Sequence, residues 1–263
     1  MKKKYAIILT AGMGTRINYI VGVIAKQFIR INTMELFLYP ITGLWNVGVD
    51  FFLIVTNPII MDKIDKVLKE HSKLLGYEYE VTFNPYPNSL NGNTMIIGLK
   101  HLIKYSKNDP VFLSVSDHIF DPDMPSELLK NTCEGDIIVL GDSQPILVDI
   151  NEATKIQTND KYMIIEIGKQ LTKYNYIDTG LFLVKNPYKF VRLFNEEKPI
   201  KLSEIIAHKN ILAYVQPFTK QYIWKDLDTF DDLEILLGKE MRNIIIKYEK
   251  LINSSEYTQV KIL

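Results

Sequence analysis

The residues best suited to chemistry open the chain. Leu9-Thr10-Ala11-Gly12-Met13-Gly14-Thr15-Arg16 is a glycine-rich turn set directly after an apolar run, and such a turn lets backbone N–H groups approach phosphates. A dinucleotide fingerprint needs a third glycine where Ile17 stands, and a P-loop needs a Gly-Lys-Ser/Thr that the turn lacks, so both fail on spacing. What remains is a turn followed by Arg16 and Lys26, two fixed positive charges suited to a triphosphate; the bland alternative is a tight turn with two surface cations. Farther along, Val111-Phe112-Leu113-Ser114-Val115-Ser116-Asp117-His118 ends an apolar run with a carboxylate, and Trp224-Lys225-Asp226-Leu227-Asp228-Thr229 adds an acidic cluster. Two carboxylates brought together from separate strands make a hard-oxygen site suited to Mg²⁺. Asp228 reads mainly as the N-cap of a final helix, so Asp226 is the metal partner expected for Asp117, with Asp228 kept as a second metal contact.

Those residues need elements to hold them. Short β-branched runs alternate with stretches of helical period, the pattern of βαβ units in a doubly wound α/β sheet whose ligands lie beyond the carboxyl ends of the strands. Strands are expected at 5–10, 51–56, 80–83 and 111–115, with helices at 34–47, 59–74 and 94–103. Beyond Gly135 the texture turns to strand runs at 136–140, 146–150, 155–158, 163–167 and 176–184, and an amphipathic helix at 228–252 closes the chain. No Pro/Gly/Ser-rich linker separates the halves, so 1–263 reads as a single domain: a nucleotide-binding half (1–135), an acceptor-binding half (136–228), and a C-terminal helix and tail (229–263).

Composition narrows the classes. The 263 residues are 47% hydrophobic, enough for a full core, and 31 Lys+Arg balance 31 Asp+Glu, which removes the broad attraction that drives non-specific nucleic-acid binding. Cys133 alone forms no internal disulfide, so a reducing cytoplasm is the expected compartment. The opening Met1-Lys2-Lys3-Lys4 imitates a signal peptide, but Gly12, Gly14 and Arg16 interrupt its apolar stretch, and no run reaches the roughly 20 residues that span a bilayer. His71, His101, His118 and His208 lack metal-ligand spacing, and the aromatic residues scatter as core packing does.

Five segments in order carry a resemblance: Gly12-Met13-Gly14-Thr15-Arg16 with Lys26-Gln27, Ser116-Asp117-His118, Ile167-Gly168-Lys169, Asp178-Thr179-Gly180 and Trp224-Lys225-Asp226. Together they resemble the sugar-phosphate nucleotidyltransferase superfamily. Val148 to Ile156, Leu202-Ser203-Glu204-Ile205 and Trp224 to Thr229 are most similar to the CTP:inositol-1-phosphate cytidylyltransferases. The chain departs from the pattern at Ala25, where proline is usual, at Ser116, where glycine is usual, and at Asn91-Gly92-Asn93.

The resemblance implies a Rossmann-like doubly wound mixed sheet of the nucleotide-diphospho-sugar transferase type with a C-terminal helix. It implies a Mg²⁺-dependent transfer from CTP to inositol 1-phosphate, giving CDP-inositol and pyrophosphate. Arg16 and Lys26 take catalytic roles in that scheme. Ala11, Gly12, Gly14, Thr15, Asn84 and Gly92 bind nucleotide, and Thr154, Lys155, Lys169, Asp178 and Gly180 bind the acceptor. Asp117 and Asp226 hold the metal. Partners are a nucleoside triphosphate and a phosphorylated polyol or sugar, not nucleic acid; a homodimer and a membrane enzyme of the same pathway stay open. In some relatives this domain is fused to a membrane-embedded phosphotransferase, so the chain is expected to be either free-standing or a truncated piece. Two alternatives stand beside this reading. One keeps the reaction but changes the substrates, to a hexose 1-phosphate with UTP or dTTP or to phosphocholine with CTP; the other is an inactive nucleotide-sensing protein of the same fold.

Overall fold

Tyr5–Leu9 (β1) is buried along its whole length, with Ala6 and Ile8 in one apolar layer and Tyr5, Ile7 and Leu9 in the other. A strand covered on both faces needs apolar residues at successive positions, which is why the run does not alternate with polar ones. The computed structural model describes residues 2–12, 14, 17, 22, 25–86, 89–106 and 108–260, with side chains as far as residue 254. After β1 come β2 (Arg30–Ile31), β3 (Met34–Glu35), α1 (Leu38–Asn46), β4 (Phe51–Thr56), α2 (Met61–Leu75), β5 (Glu78–Phe83) and α3 (Asn91–Ser106). Then follow β6 (Val111–Val115), β7 (His118–Phe120), β8 (Ile137–Asp142), β9 (Lys155–Thr158), β10 (Ile164–Gly168), β11 (Tyr176–Val184), α4 (Pro187–Leu193) and α5 (Leu202–Ile206). The chain ends with β12 (Ala213–Pro217), β13 (Trp224–Asp226), α6 (Phe230–Leu237) and α7 (Lys239–Val260).

The main sheet runs β10-β9-β11-β6-β1-β4-β5, with β8 paired to β11 and β12 to β8. The four strands β6-β1-β4-β5 are parallel, and β11 joins antiparallel to β6, so the sheet is mixed. Its register matters for function. Leu9 lies opposite both Val55 and Val115, so the chain leaves β1, β4 and β6 at one level on a single edge. A separate two-stranded ribbon pairs Asp226 with His118 and Trp224 with Phe120, carrying the second acidic segment to the end of β6. Among the described residues no helix is long and apolar enough to cross a membrane.

Several expected elements differ. The helix expected at 34–47 begins only at Leu38, because Arg30–Ile31 and Met34–Glu35 form a small hairpin around Asn32, whose φ is 57°. Residues 146–150 form no strand: Pro145 offers no N–H, and the Asp149 carboxylate and carbonyl take the N–H groups of Asn151, Glu152 and Ala153 in a turn. The final helix is two, α6 and α7, parted at Gly238. Its cap is Thr229, whose hydroxyl accepts the Asp232 N–H at 3.3 Å while the Asp232 carboxylate accepts the N–H groups of Thr229 at 2.8 Å and Asp228 at 3.0 Å. This reciprocal capping box moves the helix start one residue on and frees the Asp228 carboxylate from that task.

Helices α1 and α2 are joined beneath the sheet by His71. The Tyr77 hydroxyl donates to its Nδ1 at 2.8 Å, and its Nε2 meets the Thr42 hydroxyl at 3.1 Å. Since that hydroxyl donates to the Leu38 carbonyl at 2.9 Å, the network assigns the His71 proton to Nε2 and suits a neutral ring. Burial accordingly lowers its pKa from 6.5 to about 4. Between those values the unfolded chain binds the proton and the fold does not, so stability falls as pH falls; above the unfolded value the contribution is complete. His71→Gln is expected to remove about 2 kcal/mol of the stability that wild type loses between pH 7 and pH 5. Thermal melts of the two proteins at both pH values check this, and parallel losses would show that His71 is not the titrating group.

Candidate active site

The turn after β1 is held by side chains from two other segments. Thr10 is pinned to the Val55 carbonyl through its N–H at 2.9 Å and its hydroxyl at 3.0 Å. Gln27 Nε2 donates to the carbonyls of Thr10 and Gly12, and Asn57 Nδ2 donates to the Ala11 carbonyl at 3.2 Å. Gly14 has φ of 63°, and a Cβ there would come within 2.5 Å of Lys26 Cγ. Only glycine lets the Lys26 stem lie across the turn. Thr15 and Arg16 lie outside the described residues.

Lys26 sits in a short 3₁₀ helix, Lys26–Phe28, and its side chain is 9% exposed. Its ammonium donates to Asp228 Oδ1 at 2.8 Å and the Leu227 carbonyl at 3.0 Å, and it forms an ion pair with Asp117 Oδ2 at 2.6 Å. Burial would lower the pKa of this lysine, but the charges of Asp117 and Asp228 more than reverse that and hold it well above the ordinary range. Asp117 is the mirror case: burial would raise it, yet Lys26 and then His118 keep its carboxyl far below the usual carboxylate range. His118 Nδ1 lies 2.7 Å from Asp117 Oδ1. Asp226 is employed elsewhere, 3.1 Å from the buried Lys225 ammonium, which also pairs with Asp232.

Two clefts open on this group. The larger, about 530 Å³, lies between Ala11-Gly12, Asn57-Pro58-Ile59, Asn84-Pro85-Tyr86 and the start of α3, and reaches Lys26 and Asp117. The smaller, about 200 Å³, holds Asp117, His118, Glu152, Thr154, Lys169, Asp178, Gly180, Asp226 and Asp228. Asn91, Val115 and Asp117 line both. One carboxylate therefore stands where the two spaces meet.

Most of the expected site residues converge here, and three do something other than line a cleft. Gly92 faces away, where a Cβ would lie 2.5 Å from the Ile200 carbonyl, so it admits that neighbouring segment while Asn91 takes the cleft wall. Lys155 is buried and gives its ammonium to the Lys169 carbonyl at 2.8 Å, supporting the segment that carries Lys169. Gly14 backs Lys26, as above. Asn84 lines the larger cleft but spends its amide on Ser89 at 2.7 Å and Thr94 at 3.1 Å. Lys169 stands at the mouth of the smaller cleft, 3.6 Å from Glu152. Asp178 accepts the Gly180 N–H at 2.9 Å, and burial pushes its carboxyl up to about 6 against that bond and the nearby His118. Gly180 itself has φ of 73° and abuts Val115 and His118.

Sequence reasoning missed Asn57, which has no motif of its own, and met Gln27 and Asn91 only as neighbours of Lys26 and Gly92, with no task assigned. It also gave Asp228 the wrong task; the Thr229-Phe230-Asp231-Asp232 pattern is a capping-box signal that would have corrected this. The geometry also bears on a metal. Among the described residues no three His, Cys, Asp or Glu side chains gather as a ligand set. Yet Asp117 and Asp228 already face one cation, the Lys26 ammonium, and Mg²⁺ characteristically takes one or two carboxylates and fills its shell with phosphate oxygens and water.

The bifunctional IPC transferase and DIPP synthase of Thermococcus kodakarensis is 29% identical over 237 residues, covering 89% of this chain and 50% of that protein. The protein of the same name from Aquifex aeolicus is 30% identical over 233 residues, covering 87% and 50%. The chain thus spans about half the length of these relatives. The solved inositol-1-phosphate CTP transferase from T. maritima shares the fold, with a TM-score of 0.79 at 24% identity over 94% of this chain and 96% of that one. A family model for the MobA-like NTP transferase domain matches residues 6–194, a span that holds both clefts' shared wall and the glycine-rich turn, and the chain belongs to that family.

Proposed function

We propose that this chain is a cytidylyltransferase that joins CTP to inositol 1-phosphate, yielding CDP-inositol and pyrophosphate. The observation that carries the reading is the meeting of two clefts at Asp117, with the Lys26 ammonium beside it. A reaction between two phosphates needs that arrangement: one space for the nucleotide, one for the acceptor, and a positive charge between them. The base and acceptor are taken from the names of the relatives and from the motif segments of the second half. Those names also pair the activity with DIPP synthase, so the proposed pathway partner is a phosphotransferase that consumes the activated inositol, and cytoplasm is the proposed compartment.

In the reaction an oxygen of the acceptor phosphate forms a bond to the α-phosphorus in line with the bond to the β-phosphate. That bond breaks, and its electron pair leaves with pyrophosphate. The attacking oxygen is already ionised near neutral pH, so no general base is needed. Positioning and charge neutralisation supply the catalysis. The nucleotide lies along the turn of Ala11 and Gly12, with Arg16 on the triphosphate. Lys26 exchanges a carboxylate for an α-phosphate oxygen as charge develops there. Lys169 holds the acceptor phosphate, and Thr154, Asp178 and the Gly180 backbone take the ring hydroxyls. Asp117 and Asp228 would hold a Mg²⁺, with Asp226 on the same pocket, and when bound the ion neutralises charge between the two substrates' phosphates. This ordering reverses the expectation from sequence, because Asp228 already shares a cation with Asp117.

Three outcomes test the reading. Pyrophosphate release with Mg²⁺, measured for the common nucleoside triphosphates against inositol 1-phosphate, glucose 1-phosphate and phosphocholine, is expected to be fastest for CTP with inositol 1-phosphate. A tenfold preference for another acceptor would reassign the substrate and leave the reaction class. Asp228→Asn is expected to lower kcat at least tenfold more than Asp226→Asn does under the same Mg²⁺; the opposite order would give the metal to Asp226. Lys26→Met leaves Asp117 and Asp228 without their shared cation, a change that costs about 3–5 kcal/mol when a buried pair is broken. Its melting temperature is expected to drop in EDTA and recover in Mn²⁺ by more than wild type gains, while kcat falls. A variant indifferent to Mn²⁺ would show that Lys26 does not stand where the cation binds.

A further inference from the structure

The two oxygens of Asp117 serve different partners. Oδ2 faces the Lys26 ammonium at 2.6 Å, and Oδ1 faces His118 Nδ1 at 2.7 Å. A carboxylate that stays ionised can only accept, so Nδ1 carries the proton of that bond. The imidazole lies parallel to the Trp224 indole, with centroids 5.6 Å apart and planes 7° from each other, and Gly180 lies close beside it, where a Cβ would stand 3.2 Å from Nε2. Trp224 in turn donates from Nε1 to Asp142 Oδ2 at 2.8 Å, and both residues are buried. Ribbon pairing builds the stack: with Trp224 in register with Phe120 and His118 with Asp226, the two rings are diagonal neighbours on one face of the ribbon.

We propose that His118 is a positioning residue for Asp117: clamped by Trp224 and Asp142, it anchors Oδ1 so that Oδ2 stays turned toward the cation at the junction of the two clefts. A carboxylate with both oxygens unrestrained rotates about its Cβ–Cγ bond and presents a ligand oxygen only part of the time. An N–H fixed by a stacked ring removes that freedom, and outer partners of this kind are worth roughly 10–100-fold in metal affinity. The inference rests on the reading that Asp117 meets a divalent cation.

The test is Mn²⁺ affinity of the nucleotide-free protein, read by electron paramagnetic resonance without turnover, for three variants. His118→Phe keeps the ring and the stack but removes the donor. His118→Leu and His118→Asn match each other in shape, and only asparagine puts an N–H where Nδ1 stood. We expect His118→Phe and His118→Leu to bind Mn²⁺ at least tenfold more weakly than wild type, with His118→Asn within threefold of it. Melting temperatures identify which variants fold, and either donor-free variant suffices for the comparison with asparagine. Wild-type affinity in a folded donor-free variant overturns the proposal, as does an asparagine variant as weak as leucine or a wild type that binds no Mn²⁺. Pyrophosphate release from CTP and inositol 1-phosphate, run alongside, keeps the two readings apart. The expected Mn²⁺ pattern without turnover would support the positioning role and reject the proposed substrates.

Discussion

The Lys26 ammonium, shared by Asp117, Asp228 and the Leu227 carbonyl, is the interaction on which the site depends. A lysine this buried is tolerable only if its charge is met in full, since an unpaired one costs several kcal/mol. Meeting it draws together three parts of the chain: the segment after β1, the end of β6, and the residues between β13 and α6, about 200 positions away. Each neighbour then inherits a constraint. Gly14 must lack a side chain for the lysine stem to cross it, and the β7–β13 ribbon must bring Leu227 to the Asp117 carbonyl, where its N–H bonds at 2.9 Å.

The sheet decides where that charge sits. Parallel β6-β1-β4 delivers its loops to one edge because Leu9, Val55 and Val115 are in register, and the larger cleft forms among those loops. A parallel sheet alone would leave the far side of β6 open. Here β11 runs antiparallel beside β6, so Asp178 and Gly180 come to lie near the carboxyl end of β6, next to Val115 and His118. The second cleft is thus a product of the change in strand direction, and Asp117 lies at that change because it follows the last residues of β6. Both faces of the sheet are covered by helices, α1, α2 and α7 on one and α3, α4 and α5 on the other, which fixes the strands that carry these ends.

Much of this was legible in the sequence, and the limits have physical reasons. Runs such as Tyr5–Leu9 and Val111–Val115 declare themselves because burial on both faces demands uninterrupted apolar residues. The strands β7, β12 and β13 do not, since β7 and β13 have only three residues, β12 mixes polar residues and a proline into its five, and their pairing is fixed by partners far away in the chain. At the site, charges attached to glycine turns or strand ends were readable, as Lys26 and Asp117 illustrate. The task of Asn57 was not, nor were those of Gln27 and Asn91, which stood in motif segments without a role, because a side-chain amide that binds a loop carbonyl or lines a wall leaves no local pattern. Lys155 shows another limit: expected among the residues at the acceptor's polyol ring, it has a buried ammonium committed to the Lys169 backbone.

Asp226 and Asp228 show how a spacing rule fails at an element's edge. Two residues apart in a strand, side chains share a face. But β13 ends at Asp226, and from Thr229 the chain turns into the capping box of α6, so the rule has no strand left to act on. The two carboxylates diverge to different lysines, Asp226 to Lys225 and Asp228 to Lys26. Asp117 and Asp232 are drawn to the same two ammoniums, so four carboxylates share two positive charges and the cluster keeps an excess of negative charge. Such a cluster repels a bare triphosphate and attracts a divalent cation. In the proposed reaction the cation and the phosphate it accompanies would change the balance in opposite directions: the one would take over the carboxylates, the other the released ammonium. On that proposal a single lysine would be a structural ion pair before the substrates bind and a phosphate ligand after, with no rearrangement of the sheet that carries it.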